Sequence, residues 1–354
     1  MNAVPSKILV AAHDPGGTHA LVPVIVALKE NPIYEVRILA STLAQAILQR
    51  EGIASELLST HLSFQEAQDI LKQKQPNLLL TATSWNSNAE QQLRNVAYRM
   101  DIKVVTVLDF WSNADIRWRE ALYPIEDLYD QVCVMDEGYK NYMVSQGFPA
   151  SALIVTGHPF LERLENTHKP VNSVCKNIAN TFLFLSQPKE SVLLDYSKGH
   201  PIRHVIDNLE QYSQKIKIPC SLTIKTHPKE NKDDIISALK NVRPLKLLSI
   251  KIAERTVNLD ELINGHDVIL GYYSMALFQA RAAGKKTFSV DCYKCEGNIR
   301  LVLDEHGVQV LSAGDGWPDD VFAASLKEVK TSHQGAVENI CGFIKNSLSQ
   351  KVCL

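Results

Sequence analysis

Two imidazoles and a carboxylate surround a glycine pair near the N-terminus, in the order His13-Asp14-Pro15-Gly16-Gly17-Thr18-His19, directly after a short apolar run at 7–12. Glycines let a backbone approach a ligand closely, and a helix opening there would offer unpaired amides and the positive end of its dipole to an anion. The spacing is neither the dinucleotide fingerprint nor the Walker pattern, since no Gly-Lys-Ser/Thr follows. A tight turn with Asp14 as a helix cap explains the glycines equally well. His13, Asp14 and His19 together tilt the segment towards a functional site.

A second group is Lys225-Thr226-His227-Pro228, at the end of a strand-like run. Pro228 keeps the residues before it out of helical geometry, so that the imidazole can project. Lysine neutralises charge and imidazole can donate a hydrogen bond or a proton, a combination suited to a diphosphate. The third group is Gly271-Tyr272-Tyr273-Ser274, where Ser274 opens a small-residue helix ending at Gly284. Its first amides and hydroxyl would make a second phosphate cradle beside Tyr273, with Gln279 in range of a ribose, and an ordinary capped helix fits the segment as well. Ser186 and Gln187 end another strand and would sit at a ligand's edge, where a helix cap is the plainer role for Ser186. Asp109, before Phe110-Trp111, adds an acid, and Gly157-His158-Pro159 reads as a hinge with a ligand contact at His158. Trp111 and Trp118 could stack on a sugar ring but favour packing.

Elements that would carry these groups alternate in type. Strands are expected at 7–12, 35–40, 78–82 and 104–108, with the segment 153–159 closing the first half, then at 181–185, 221–225, 246–250, 267–271 and 286–290. Helical stretches intervene at 20–28, 43–51, 89–100 and 138–146, and a last one covers 335–348. Such alternation implies parallel sheets covered on both faces, which bind ligands beyond the carboxyl ends of their strands. All the groups above lie just after a strand. A chain of 354 residues favours two domains. The expected division is 1–165 and 175–334, with a linker region at 165–173 and a C-terminal helix, 335–354, able to pack on either.

The balance of 37 Lys+Arg against 39 Asp+Glu leaves a net charge of -2, which gives no field to recruit nucleic acid or an acidic membrane. The apolar runs are strand-sized, far short of the roughly 20 residues that span a bilayer, and residues 1–7 show no basic region followed by an apolar core, so export is not expected. A cytoplasmic protein without stable membrane insertion is expected, able to work peripherally at the inner membrane face. Seven scattered cysteines point to reduced thiols, and Cys292-x-x-Cys295 lacks the second ligand pair of a zinc site.

The order of these groups resembles the GT-B superfamily of nucleotide-sugar enzymes over nearly the whole chain. Gly16-Gly17-Thr18-His19 followed by Pro23 resembles the glycine loop of the transferase that makes peptidoglycan lipid II. Val155-Thr156-Gly157-His158-Pro159-Phe160-Leu161 resembles the interdomain segment of lipid A disaccharide synthase and of UDP-N-acetylglucosamine 2-epimerases. Phe184-Leu185-Ser186-Gln187-Pro188 with Lys225-Thr226-His227-Pro228 resembles bacterial sialyltransferases and capsule polymerases, whose His-Pro motif contacts the donor phosphate. Gln279-Ala280 stands where many members carry Glu-Ala.

The resemblance implies two Rossmann-like α/β domains facing across a cleft, the second holding the donor nucleotide and the first the acceptor and the general base. Asp14, His13 or His19 would then deprotonate the acceptor hydroxyl in a single inverting displacement, with Lys225, His227 and the Ser274 helix end on the phosphates. The partners implied are a nucleotide-sugar donor, linked to UDP or CMP, and a glycan or lipid-linked acceptor of surface polysaccharide biosynthesis; a homodimer stays open. No Asp-x-Asp pair is placed to bridge a metal to the diphosphate, so neither metal nor other cofactor is expected. A nucleotide-sugar hydrolase or hydrolysing 2-epimerase is the alternative on the same fold, and a non-catalytic sugar-nucleotide binding protein is the third reading.

Overall fold

Runs of Val, Ile, Leu and Ala too short for buried helices become strands covered on both faces, and the amphipathic stretches between them become the covering helices. The structure, a computed structural model, describes residues 4–84, 87–167, 178–188, 200–228, 230–240, 242–291, 299–312, 316–318, 320–323 and 325–349. Cys175, Cys353 and the Cys292-x-x-Cys295 pair lie outside the described residues. The chain divides into two compact units, Met1–Glu165 with Ser332–Leu354, and Asn166–Thr331.

The first unit is built on β1 (Ser6–Ala12), β2 (Tyr34–Ala40), β3 (Glu56–Leu57), β4 (Leu78–Thr81), β5 (Lys103–Val107), β6 (Gln131–Val134) and β7 (Leu153–Val155). They pair in parallel in the order β3-β2-β1-β4-β5-β6-β7. The second unit has β8 (Thr181–Leu185), β9 (Cys220–Lys225), β10 (Leu248–Ile252), β11 (Val268–Gly271), β12 (Lys286–Asp291) and β13 (Gln309–Ser312). Their order is β10-β9-β8-β11-β12-β13, again parallel throughout. In each sheet the chain winds outward one way and then the other. The reversals fall between β1 and β4 and between β8 and β11, and such a switch point opens a crevice at the carboxyl ends of the strands.

Three strands, β3, β6 and β13, have no counterpart in the sequence expectation, and β10 starts at Leu248 rather than 246. The carboxylate of Glu210 accepts hydrogen bonds from the amides of Lys246 (2.8 Å) and Leu248 (3.0 Å), which holds the entry to that strand out of the ladder. The last helix, Ala336–Ser349, belongs to the first unit, where Ile340 and Ile344 join the core of Ile8, Val10, Leu21 and Ile25. Its N-terminal amides are capped from elsewhere in the chain: Glu162 accepts from Gly335 and Val337, both at 2.8 Å. Glu165 accepts from the His333 amide at 3.0 Å. No helix among the described residues is long and apolar enough to cross a membrane.

Candidate functional site

At the first switch point β1 delivers His13 and Asp14. Asp14 occupies the N-cap position of the helix Pro15–Glu30, with Pro15 at its first turn, yet its side chain makes no capping bond. Asp14 Oδ1 instead lies 2.9 Å from His13 Nδ1. A carboxylate there accepts from Nδ1–H, which in the neutral ring leaves Nε2 as the lone-pair acceptor, the tautomer a general base requires. His13 Nε2 is buried and meets no hydrogen-bond partner among the described residues.

The expected glycine loop is not a loop. Gly16, Gly17, Thr18 and His19 form the first turns of that helix, which begins five residues before 20. A Cβ on Gly16 would run into the Asp109 carboxylate, and one on Gly17 would stand 2.5 Å from the Ala82 Cβ. The glycines therefore seat the helix against the ends of β4 and β5, where the sequence suggested close approach of a ligand. Thr18 turns inward and donates from Oγ1 to the Asp14 carbonyl at 2.8 Å. The His19 ring lies 5.0 Å from that of Phe160.

Across the switch point stand Thr83, Ser84 and, on the helix Ala89–Arg99, Glu90. Glu90 is 1% exposed, and neither carboxyl oxygen meets a donor at hydrogen-bond geometry among the described residues. Burial pushes its carboxyl up to about 7; nearby Ser84, Arg94 and His13 oppose the rise and Asp14 adds to it. The Ser84 hydroxyl is directed to the Ser87 carbonyl, 3.4 Å away. Asp109, after β5, pairs with Arg117 at 2.8 Å, and Arg117 also donates to Thr83. Burial alone would lower the Arg117 guanidinium, but Asp109, Tyr139 and Asp14 hold it above its ordinary range. The edge thus collects an Asp–His pair, a second buried carboxyl and an arginine neutralised by one aspartate.

Gly157 and His158 lie beside this edge and are built into the fold. Gly157 has φ +89 and leaves only 2.9 Å between an added Cβ and the Ala336 Cβ, so both conformation and space demand glycine. His158 is 1% exposed; its Nε2 lies 3.0 Å from the Asp109 carbonyl and its ring stacks on Trp111 at 5.8 Å. Burial lowers its pKa. His158 therefore positions the segment carrying Asp109, and the expected ligand contact finds it enclosed. Trp111 donates to Asp136 and Trp118 donates to Asp130 (2.9 Å), each 2% exposed, so both pack.

In the second unit the switch point brings together the ends of β8 and β11, with β9 alongside. Ser186 Oγ donates to Glu230 Oε1 at 2.7 Å, and Glu230 Oε2 accepts the His227 amide at 3.1 Å. Glu230 is 5% exposed, and burial raises its pKa against the pull of both bonds. The Gln187 side chain accepts the Tyr273 amide at 3.2 Å, tying the β8 and β11 ends together. Ser274 is the N-cap of the helix Met275–Ala282 by position, but its hydroxyl makes no capping bond. Pro228 is exposed and His227 half-buried. Gln279 donates to Asp260 at 2.6 Å, so a ribose contact would have to displace that partner.

Lys225 departs most from expectation. Its ammonium donates to the carbonyls of Glu254, Arg255 and Val257, each at 3.0 Å. All three N–H donors are engaged. The residue that type alone marks as a phosphate ligand here secures the loop after β10, and a phosphate contact would require those bonds to be given up. Glu90, Arg117 and Glu230 were missed, because a lone Glu one residue after an Ala at a helix start, or an Arg at the end of the four-residue helix Ala114–Arg117, carries no distinguishing signal.

No family model and no curated protein sequence matches the chain. Its fold matches solved nucleotide-sugar enzymes of the GT-B type. A UDP-GlcNAc 2-epimerase from Neisseria meningitidis bound to UDP-GlcNAc is similar at TM-score 0.68 and 15% identity, over 96% of this chain and 100% of that one. The UDP-GlcNAc 2-epimerase of Methanocaldococcus jannaschii gives 0.65 and 12% over 96% and 99%. MurG from Acinetobacter baumannii gives 0.54 and 12% over 97% and 100%.

Proposed function

We propose that the chain is an inverting glycosyltransferase that moves a sugar from a UDP-linked donor to a hydroxyl of a glycan or lipid-linked acceptor. The observation that carries this reading is the division of labour between the two switch points. The first is furnished for proton transfer, with His13–Asp14; the second is furnished for an anion, with His227 and the open helix end at Ser274. Similarity to enzymes solved with UDP-GlcNAc supports a uridine diphosphate as the anion.

In this reading the acceptor hydroxyl loses its proton to the His13–Asp14 pair, whose carboxylate is the more exposed member. The oxygen attacks the anomeric carbon as the bond to the diphosphate breaks, and the bonding electrons leave with the diphosphate. His227, the Ser274 hydroxyl and the amides of the helix end that follows it receive that charge. Lipid-linked acceptors would bring the protein to the inner membrane face as a peripheral enzyme of surface polysaccharide synthesis.

A hydrolysing 2-epimerase or hydrolase is the second reading, favoured by the higher TM-scores of the epimerases and by Glu90, a carboxyl beyond what one deprotonation needs. The two are separated by measuring UDP release from UDP-sugars with and without a cell-derived glycan and lipid extract. Transfer predicts release that depends on the extract. Equal release without it selects hydrolysis or epimerisation, and intact donor despite measurable binding would select a binding protein.

A further inference from the structure

Since Lys225 is saturated by backbone carbonyls, the cationic group for a diphosphate must come from elsewhere at this edge. The loop that Lys225 secures carries Arg255. This arginine is held twice: its carbonyl accepts from Lys225 Nζ at 3.0 Å, and its Nη2 donates to the Glu230 carbonyl at 2.8 Å. The latter bond carries the side chain from the loop after β10 across to the loop after β9, beside His227. Its remaining donors meet no hydrogen-bond partner and no carboxylate at ion-pair distance among the described residues.

Charge points the same way. Lys225 and Arg255 are close enough that Arg255 adds to burial in lowering the lysine's pKa. Neither cation is in an ion pair among the described residues. The carboxylate close by, Glu230, has one oxygen accepting from Ser186 and the other from the His227 amide. Arg255 also favours the ionised form of Glu230, but two like charges whose hydrogen-bond acceptors are all carbonyls are further relieved by a bound anion. A guanidinium fork matches phosphate oxygens in pairs, which an ammonium cannot do.

We propose that Arg255 binds the diphosphate of the nucleotide-sugar donor through its guanidinium, with Lys225 as the positioning residue that fixes the backbone from which it projects. This rests on the second unit being the donor site.

Equilibrium titration of the full chain with UDP and with inorganic pyrophosphate tests it, comparing Arg255→Gln, Arg255→Lys and a control of equal charge change, Lys240→Gln, on an exposed helix end. Arg255→Gln should weaken both ligands about tenfold to a hundredfold, the range for hydrogen bonds to a charged group. Arg255→Lys should fall between, and Lys240→Gln should match the unsubstituted protein. Affinities for both ligands within twofold of the unsubstituted protein in Arg255→Gln, or equal losses in Lys240→Gln, would overturn the assignment while leaving the nucleotide reading in place. Pyrophosphate binding without UDP binding would sink the nucleotide reading and leave Arg255 tested by pyrophosphate alone. Binding of neither ligand would sink both.

Discussion

Glu90 offers a sharp quantitative test of the first switch point. Its carboxyl, ordinarily near 4.5, titrates at about 7 in the folded chain, because burial penalises the ionised form. That gap corresponds to about 3 kcal/mol between the two protonation states. A raised acid binds its proton more tightly in the fold than in the unfolded chain. The resulting stabilisation is therefore complete below pH 4.5 and is lost as pH rises through 7. Glu90→Gln keeps the shape and removes the titration. Urea unfolding at intervals from pH 5 to 8, followed by far-UV circular dichroism, should find the variant and the parent similar at the acid end. At pH 8 the variant should be more stable by about 2–3 kcal/mol. Parallel stability curves across that range would refute the reasoning, because they would mean that the buried carboxyl is as readily ionised as in water.

Asp14→Asn should leave UDP binding intact and lower kcat by about 10²–10⁴, the usual share of general acid–base catalysis, checked by steady-state UDP release. Gly17→Ala, placing a Cβ 2.5 Å from the Ala82 Cβ, should destabilise the first unit by about 1–3 kcal/mol in the same urea experiment.

The alternation of apolar runs with amphipathic stretches carried the two parallel sheets, and the rule that ligands sit beyond strand ends located both edges. What stayed hidden followed from tertiary satisfaction of polar groups. The helix Ala89–Arg99 reads as a surface helix with polar residues around it, yet Glu90, Gln91, Arg94 and Asn95 are all buried. Arg94 and Asn95 reach the carbonyls of Arg117 and Glu120, partners 23 and 25 residues away that no local pattern signals. Lys225 shows the converse: residue type marked a phosphate ligand, and distant carbonyls took the ammonium. Strand β6, Gln131–Val134, has four residues and is preceded by an acidic stretch, too little periodicity to stand out. The glycines at 16 and 17 were legible as a special backbone position, but whether they admit a ligand or a neighbouring element depends on Asp109 and Ala82, both far away in sequence.

The central claim is that the second unit holds a uridine diphosphate against His227 and the Ser274 helix end, and equilibrium titration with UDP addresses it most directly. Saturable binding that weakens about tenfold in His227→Ala and again in Ser274→Ala is the result predicted, each substitution removing one hydrogen bond to a charged group. UDP affinity unchanged in both variants, or no UDP binding by the unsubstituted protein, would contradict it.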